Sequence, residues 1–136
     1  YYGTNISRRY GEGIGSVYIT LTEEAEKDPL LTGLPQEFLA LVGHKEACDD
    51  VPENAVLLAS SKTCPVQMFR MKNNIYAVQF HPEGDEEEFI LRIKVYKNYG
   101  YFQPDQADQL IAALKDVQTP VPKEILRRFV SKYHAE

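Results

Sequence analysis
Gln79-Phe80-His81-Pro82-Glu83 places an imidazole and a carboxylate two residues apart, where the apolar run Ile75 to Phe80 passes into a polar turn. An imidazole held by a carboxylate is the base half of a nucleophilic triad. Such a base contributes about 10²–10⁴-fold to rate. Pro82 stiffens the turn and biases His81 toward an extended backbone. Loops at strand ends are where rigid scaffolds present catalytic side chains. A bare H-x-E also describes a solvated turn, so the nucleophile decides between the two readings. Cys48 precedes Asp49-Asp50, and their negative charge makes a thiol less reactive. Cys64 lies between two strand segments, before Pro65. Both read as small, partly buried filling.

His44, Glu46 and Cys48, at i, i+2 and i+4, would share one face of a strand. Zinc accepts N, O and S donors, but structural sites want four ligands. With no fourth at hand, a packed or hydrogen-bonded His44 is expected, with no metal and no cofactor.

The elements that position these groups follow from periodicity. Ser16 to Thr22 alternates, with Val17, Ile19 and Leu21 on one face, as a half-buried strand does. Residues 1–12 are polar and show no period. Asp28 to Pro35 reads as a short turn or a single helical turn that Gly33 can end. Phe38 to Val42 is a buried strand. After a loop at Asp49 to Asn54 come strands at Val56 to Ala59, Val66 to Met71 and Ile75 to Phe80. The tight Lys72-Asn73-Asn74 connection makes the last two a hairpin. The period then changes. Asp85 caps a helix with Glu88 three residues on, and Phe89, Ile93 and Tyr96 share its apolar face. Glu86-Glu87-Glu88 complements the helix dipole. Gln103-Pro104 opens a second helix carrying Ala107, Leu110, Ile111, Leu114 and Val117. Pro122 opens a third carrying Ile125, Leu126, Phe129, Val130 and Tyr133. Tyr96, Tyr99, Tyr101 and Phe102 are expected in helix packing, and Asn98-Tyr99-Gly100 suits a helix end.

The 136 residues suit one domain, and 43% apolar content supplies a core. A net charge of −5 argues against nucleic-acid binding. No apolar run reaches the roughly 20 residues that span a membrane, and no signal-like segment opens the chain. Two cysteines give no disulfide framework, so a cytoplasmic setting is expected. Strands first and helices last fit an α+β unit, or the second half of an α/β sheet whose βαβ units lie upstream.

The string Gln79 to Glu83 resembles the C-terminal catalytic motif of class I glutamine amidotransferases. Val42-Gly43-His44-Lys45-Glu46 resembles the family's glutamine-pocket segment. Pro65 to Arg70 followed by Ile75 to Glu83 is similar to its paired strands leading into the catalytic histidine. From about Gly11 to Leu114 the chain is similar to the stand-alone, GMP-synthase-like type. The resemblance implies the C-terminal portion of an α/β, flavodoxin-like amidotransferase domain, with mixed or antiparallel strands followed by helices. Residues 1–136 would form one partial domain. It implies that His81 and Glu83 are the histidine and glutamate of a Cys-His-Glu triad. It also implies that main-chain groups around Gly43, His44 and Lys45 line the glutamine pocket. Lys45 departs from the small residue common there. The family's cysteine stands in a G-x-C-x-G elbow, and this sequence contains none. The elbow is expected upstream of Tyr1.

The expected activity is hydrolysis of the glutamine side-chain amide with ammonia passed to an acceptor, and the chain alone is expected to be inactive. The expected partners are glutamine and a missing N-terminal half-domain or synthase. Uncovered sheet edge and apolar surface would promote self-association. The alternatives are a non-catalytic amidotransferase-like binding module and a γ-glutamyl peptide hydrolase on the same scaffold.

Overall fold
The computed structural model describes residues 3–99 and 102–134. The chain forms strands β1 (Ile6–Ser7), β2 (Glu12–Leu21), β3 (Glu37–His44), β4 (Ala47–Cys48), β5 (Ala55–Ser60), β6 (Met68–Met71) and β7 (Ile75–Val78). Helices α1 (Glu86–Tyr96), α2 (Pro104–Leu114) and α3 (Pro120–Tyr133) follow. A five-residue 3-10 turn, Glu23–Lys27, follows β2.

One sheet runs in the order β3-β2-β5-β6-β7 with antiparallel neighbours, and β1 and β4 form a short separate ribbon. The large sheet curls. Beyond β7 the Gln79 N–H donates to the Gln67 carbonyl (2.9 Å) and the His81 N–H to the Leu41 carbonyl (2.8 Å). The chain leaving the last strand of the sheet is thereby bonded back to the first.

The expected alternation holds in β2: Ile19 and Leu21 are buried while Tyr18 and Thr20 face water. β3 is buried on both faces, which explains its continuous apolar run. Phe38, Ala40 and Val42 join Ile19, Leu58, Met68, Phe80 and Ile125 of α3 in one cluster. Leu41 points the other way, to Phe89 and Ile93 of α1 and Ala107 and Leu114 of α2. Each fully buried leucine or isoleucine here contributes about 2 kcal/mol. Helices on two sides therefore fix β3, the strand that carries the Gly43–Lys45 segment.

A buried carboxylate ties the turn after β2 to the β6–β7 hairpin. Asp28 accepts hydrogen bonds from the Leu30 N–H (2.9 Å), the Tyr76 hydroxyl (3.0 Å) and the Arg70 guanidinium. Burial, then the hydrogen bond and charge of Asp28, push the Tyr76 phenol upward. Gly33 takes a left-handed backbone (φ 78°), as expected for the end of that turn.

Several expectations needed correction. β2 begins at Glu12, inside the stretch read as aperiodic, because a bulge between Glu12 and Gly15 breaks the alternation. β7 ends at Val78 and β6 begins at Met68, although Gln67 still bonds to Ala59 of β5 and Gln79 to Gln67. α3 starts at Pro120 rather than Pro122. Tyr96 (46% exposed) and Tyr99 (72%) are not in the core. They meet edge-on instead, with ring centroids 6.4 Å apart. Val130 is also exposed. His44, Glu46 and Cys48 do not share a strand face, because β3 ends at His44 and β4 begins at Ala47. Gly100 and Tyr101 lie outside the described residues.

Candidate active site
The turn that carries His81 is braced on each side. Its backbone N–H is bonded to Leu41 of β3. The ring packs edge-on against Phe89, with centroids 5.3 Å apart. Phe89 belongs to the first turn of α1, whose N-cap is Asp85, its side chain accepting from the Glu88 N–H (2.9 Å). Gly84 makes this approach achievable, because a Cβ there would come within 2.6 Å of the Phe89 ring. The strand end, the turn and the helix start form one rigid unit around the imidazole.

His81 Nδ1 lies 2.8 Å from Glu83 Oε1. Partial burial, the largest single influence on Glu83, pushes its carboxyl upward. The His81 hydrogen bond, the Glu83 backbone amide and the charges of His81 and Arg92 outweigh it, so the carboxyl sits below its ordinary range. An ionised Glu83 accepts only, so Nδ1 carries the proton and donates. Nε2 is then the nitrogen able to take a proton, the arrangement a general base needs.

The Gly43–Lys45 segment lies beside this turn. Besides the His81–Leu41 bond, the Gln79 side-chain amide reaches the Glu46 carbonyl (3.5 Å). Gly43, His44 and Lys45 line a groove of about 560 Å³, together with Gly11, Glu12 and Ile14 and with Phe102 and Leu110 of the helical side. His81 does not line that groove. Glu83 borders a second groove, of about 630 Å³, against α3. One backbone bond, to Leu41, and one side-chain bond, to Glu46, flank the Gly43–Lys45 segment; neither groove contains both the segment and the turn.

A second cluster sits inside the curled sheet. Glu12, His44 and Cys64 bring their donor atoms within 4.8 Å of one another. The set has the composition of a Cys-His-Glu triad, and its donors also suit a metal. Its contacts favour neither. His44 Nε2 is 2.8 Å from Glu12 Oε1 and Nδ1 is 3.0 Å from the Glu46 carbonyl, so both ring nitrogens are engaged. The Cys64 thiol is fully buried and turned to the Val66 carbonyl (3.6 Å), and burial foremost pushes its pKa upward. Glu12 also accepts from the Gln67 amide (2.6 Å) and the Thr63 hydroxyl. A cation would displace these bonds, and a buried protonated thiol with no free base beside it is a poor nucleophile. The one sequence signal for the cluster is the glycine spacing around Glu12 (Gly11, Gly13, Gly15), since glycine within a strand often marks a bulge.

The curled antiparallel sheet, the braced His-x-Glu turn and the covering helices define an amidotransferase-type α/β unit. A family model, glutamine amidotransferase class-I, matches residues 1–95. The chain belongs to that family. A GMP synthase (glutamine-hydrolyzing) subunit of Thermoplasma volcanium is 34% identical over 100 residues, covering 73% of this chain and 47% of the relative. The protein of that name in Methanococcus maripaludis is 35% identical over 89 residues, covering 65% of this chain and 46% of the relative. Among solved structures, a glutamine amidotransferase of Thermotoga maritima aligns with 96% of this chain and 55% of its own, at TM-score 0.73 and 20% identity. A glutamine amido transferase from Methylobacillus flagellatus aligns with 99% of this chain and 58% of its own, at TM-score 0.64 and 15% identity. At such identities the structures speak for the fold alone. The chain spans about half the length of these two relatives, and less than a fifth of longer GMP synthases that it also matches.

Proposed function
We propose that this chain supplies the base half of a glutamine-hydrolysing site. His81 is the general base and acid, Glu83 orients it, and the backbone of Gly43, His44 and Lys45 lines the pocket for the α-amino and carboxylate groups of glutamine. The observation that carries the reading is the 2.8 Å contact between His81 Nδ1 and an ionised Glu83, in a turn fixed by Leu41 and Phe89.

His81 Nε2 takes the proton of a cysteine thiol as the thiolate attacks the glutamine side-chain amide. The same nitrogen returns that proton to the departing ammonia. It then activates the water that releases glutamate from the thioester. Glu83 stabilises the imidazolium formed in each half-reaction. The thiol comes from a G-x-C-x-G elbow outside these residues, and ammonia passes to a synthase partner of the kind the GMP synthase relatives are named for.

The 136-residue chain alone is expected to release no ammonia from glutamine. Turnover by it, abolished by Cys48→Ala or Cys64→Ala, would overturn the assignment. In the full-length protein, cleavage of γ-glutamyl peptides without glutamine turnover would favour the hydrolase alternative.

A further inference from the structure
We infer that Glu12 is a positioning residue that holds the Gly43–Lys45 backbone in place through His44, an inference that rests on the pocket role proposed for that backbone. The starting point is the bulge in β2. Glu12 pairs with His44 and Gly15 with Val42, so β2 carries one extra residue between them. A slip of one residue moves a side chain to the opposite face of a strand. Without the bulge Glu12 would share the outer face with Ser16 and Tyr18. With it, Glu12 turns into the curled sheet, and its side chain is only 3% exposed. Bulges recur next to functional sites, where they re-aim a side chain.

Inside, the carboxylate is met by four groups. Gln67 Nε2 donates at 2.6 Å, the Thr63 hydroxyl donates, the Ser61 hydroxyl lies at 3.4 Å, and His44 Nε2 at 2.8 Å. Gln67 also donates to Ser61 (3.0 Å), and its own amide oxygen is left without a partner among the described residues. Leaving a buried acceptor bare is costly, so the amide is oriented to serve Glu12 and Ser61. His44, held at Nε2, bonds through Nδ1 across the turn to the Glu46 carbonyl. The chain Glu12–His44–Glu46 therefore spans the segment whose main chain lines the groove. A second contact has the same effect: Gly11 lies so close to Lys45 that a Cβ would come within 2.6 Å of its carbonyl oxygen. One end of β2 braces the pocket backbone by a buried carboxylate and by direct apposition. The Glu12–His44 pair is a clamp, which accounts for both ring nitrogens of His44 being engaged.

The test is Glu12→Gln in the full-length protein, read by amide hydrogen exchange and by glutamine kinetics. Exchange in the 43–46 segment is expected to accelerate by roughly tenfold or more, the scale of one charged hydrogen bond. KM for glutamine should rise several-fold with kcat little changed, the pattern of lost ground-state binding. His44→Gln should produce the same changes, and the double variant should add little, because both act through one contact. If Glu12→Gln does not fold, Thr63→Val at the exposed rim removes one donor to the same carboxylate and should move both readouts in the same direction. Unchanged exchange in the folded variant overturns the inference. So does faster exchange with KM unmoved. Exchange requires no glutamine chemistry, so a wild-type protein that does not use glutamine would remove the functional reading while leaving the exchange result to decide the clamp.

Discussion
His81 is held at Nδ1 by Glu83, at its ring by Phe89 and at its backbone by Leu41, which fixes the direction of the ring; an ionised Glu83 leaves the proton on Nδ1. The Glu83 carboxyl reports this arrangement. Because its folded value lies below the ordinary one, its contribution to stability is present above the ordinary carboxylate range and is lost as pH falls through the lower folded value. In His81→Ala the upward push of burial remains while the hydrogen bond and charge of His81 are gone. The Glu83 carboxyl, followed by carbon NMR during an acid titration, should therefore titrate at higher pH than in the wild type. An unchanged midpoint would mean that His81 does not hold it. Cys64, by contrast, is fully buried, and the histidine beside it is engaged at both nitrogens.

Among the elements, the β2–β3 pair and the Asp28 network carry the site. Gly11→Ala drives a Cβ into the Lys45 carbonyl, a backbone atom that cannot move aside alone. It should cost about 1–3 kcal/mol in denaturant unfolding; a neutral result would show that the two segments are not in tight contact. Arg70→Ala leaves the fully buried Asp28 carboxylate without its charge partner, and a loss of about 3 kcal/mol is expected. Stability within experimental error of the wild type would contradict the buried-pair assignment. These elements differ in how well the sequence announces them. The alternation of Val17, Ile19 and Leu21, the apolar run Phe38 to Val42 and the Asp85 cap were legible, because local pattern and tertiary role agree there. The His81–Glu83 contact was legible because two residues across a proline turn can hardly avoid each other. Glu12 was not, because a bulge erases the period that would assign its face, and its partners Thr63 and Gln67 are more than fifty positions away. Tyr96 was misassigned because its helical spacing fits the buried face of α1, whereas packing against α2 selects Phe89 and Ile93.

For the whole molecule, the chain belongs to the class I glutamine amidotransferase family and its sheet curls so that the stretch after β7 bonds back to β3. α1 presents Leu91 and Val95 at i and i+4, and Tyr99 follows four residues on, each more than half exposed. Apolar surface of this kind invites association. Light scattering on the 136-residue chain should give a mass above its 15.5 kDa, and Leu91→Glu should lower it; a wild-type monomer would contradict that expectation. No helix among the described residues is long and apolar enough to cross a membrane. The central claim is that His81 is the base of a glutamine-hydrolysing site, and ammonia release from glutamine by the full-length protein tests it most directly. His81→Ala should lower turnover by about 10²–10⁴-fold while the protein remains folded. Near-normal ammonia release by that variant would contradict the account.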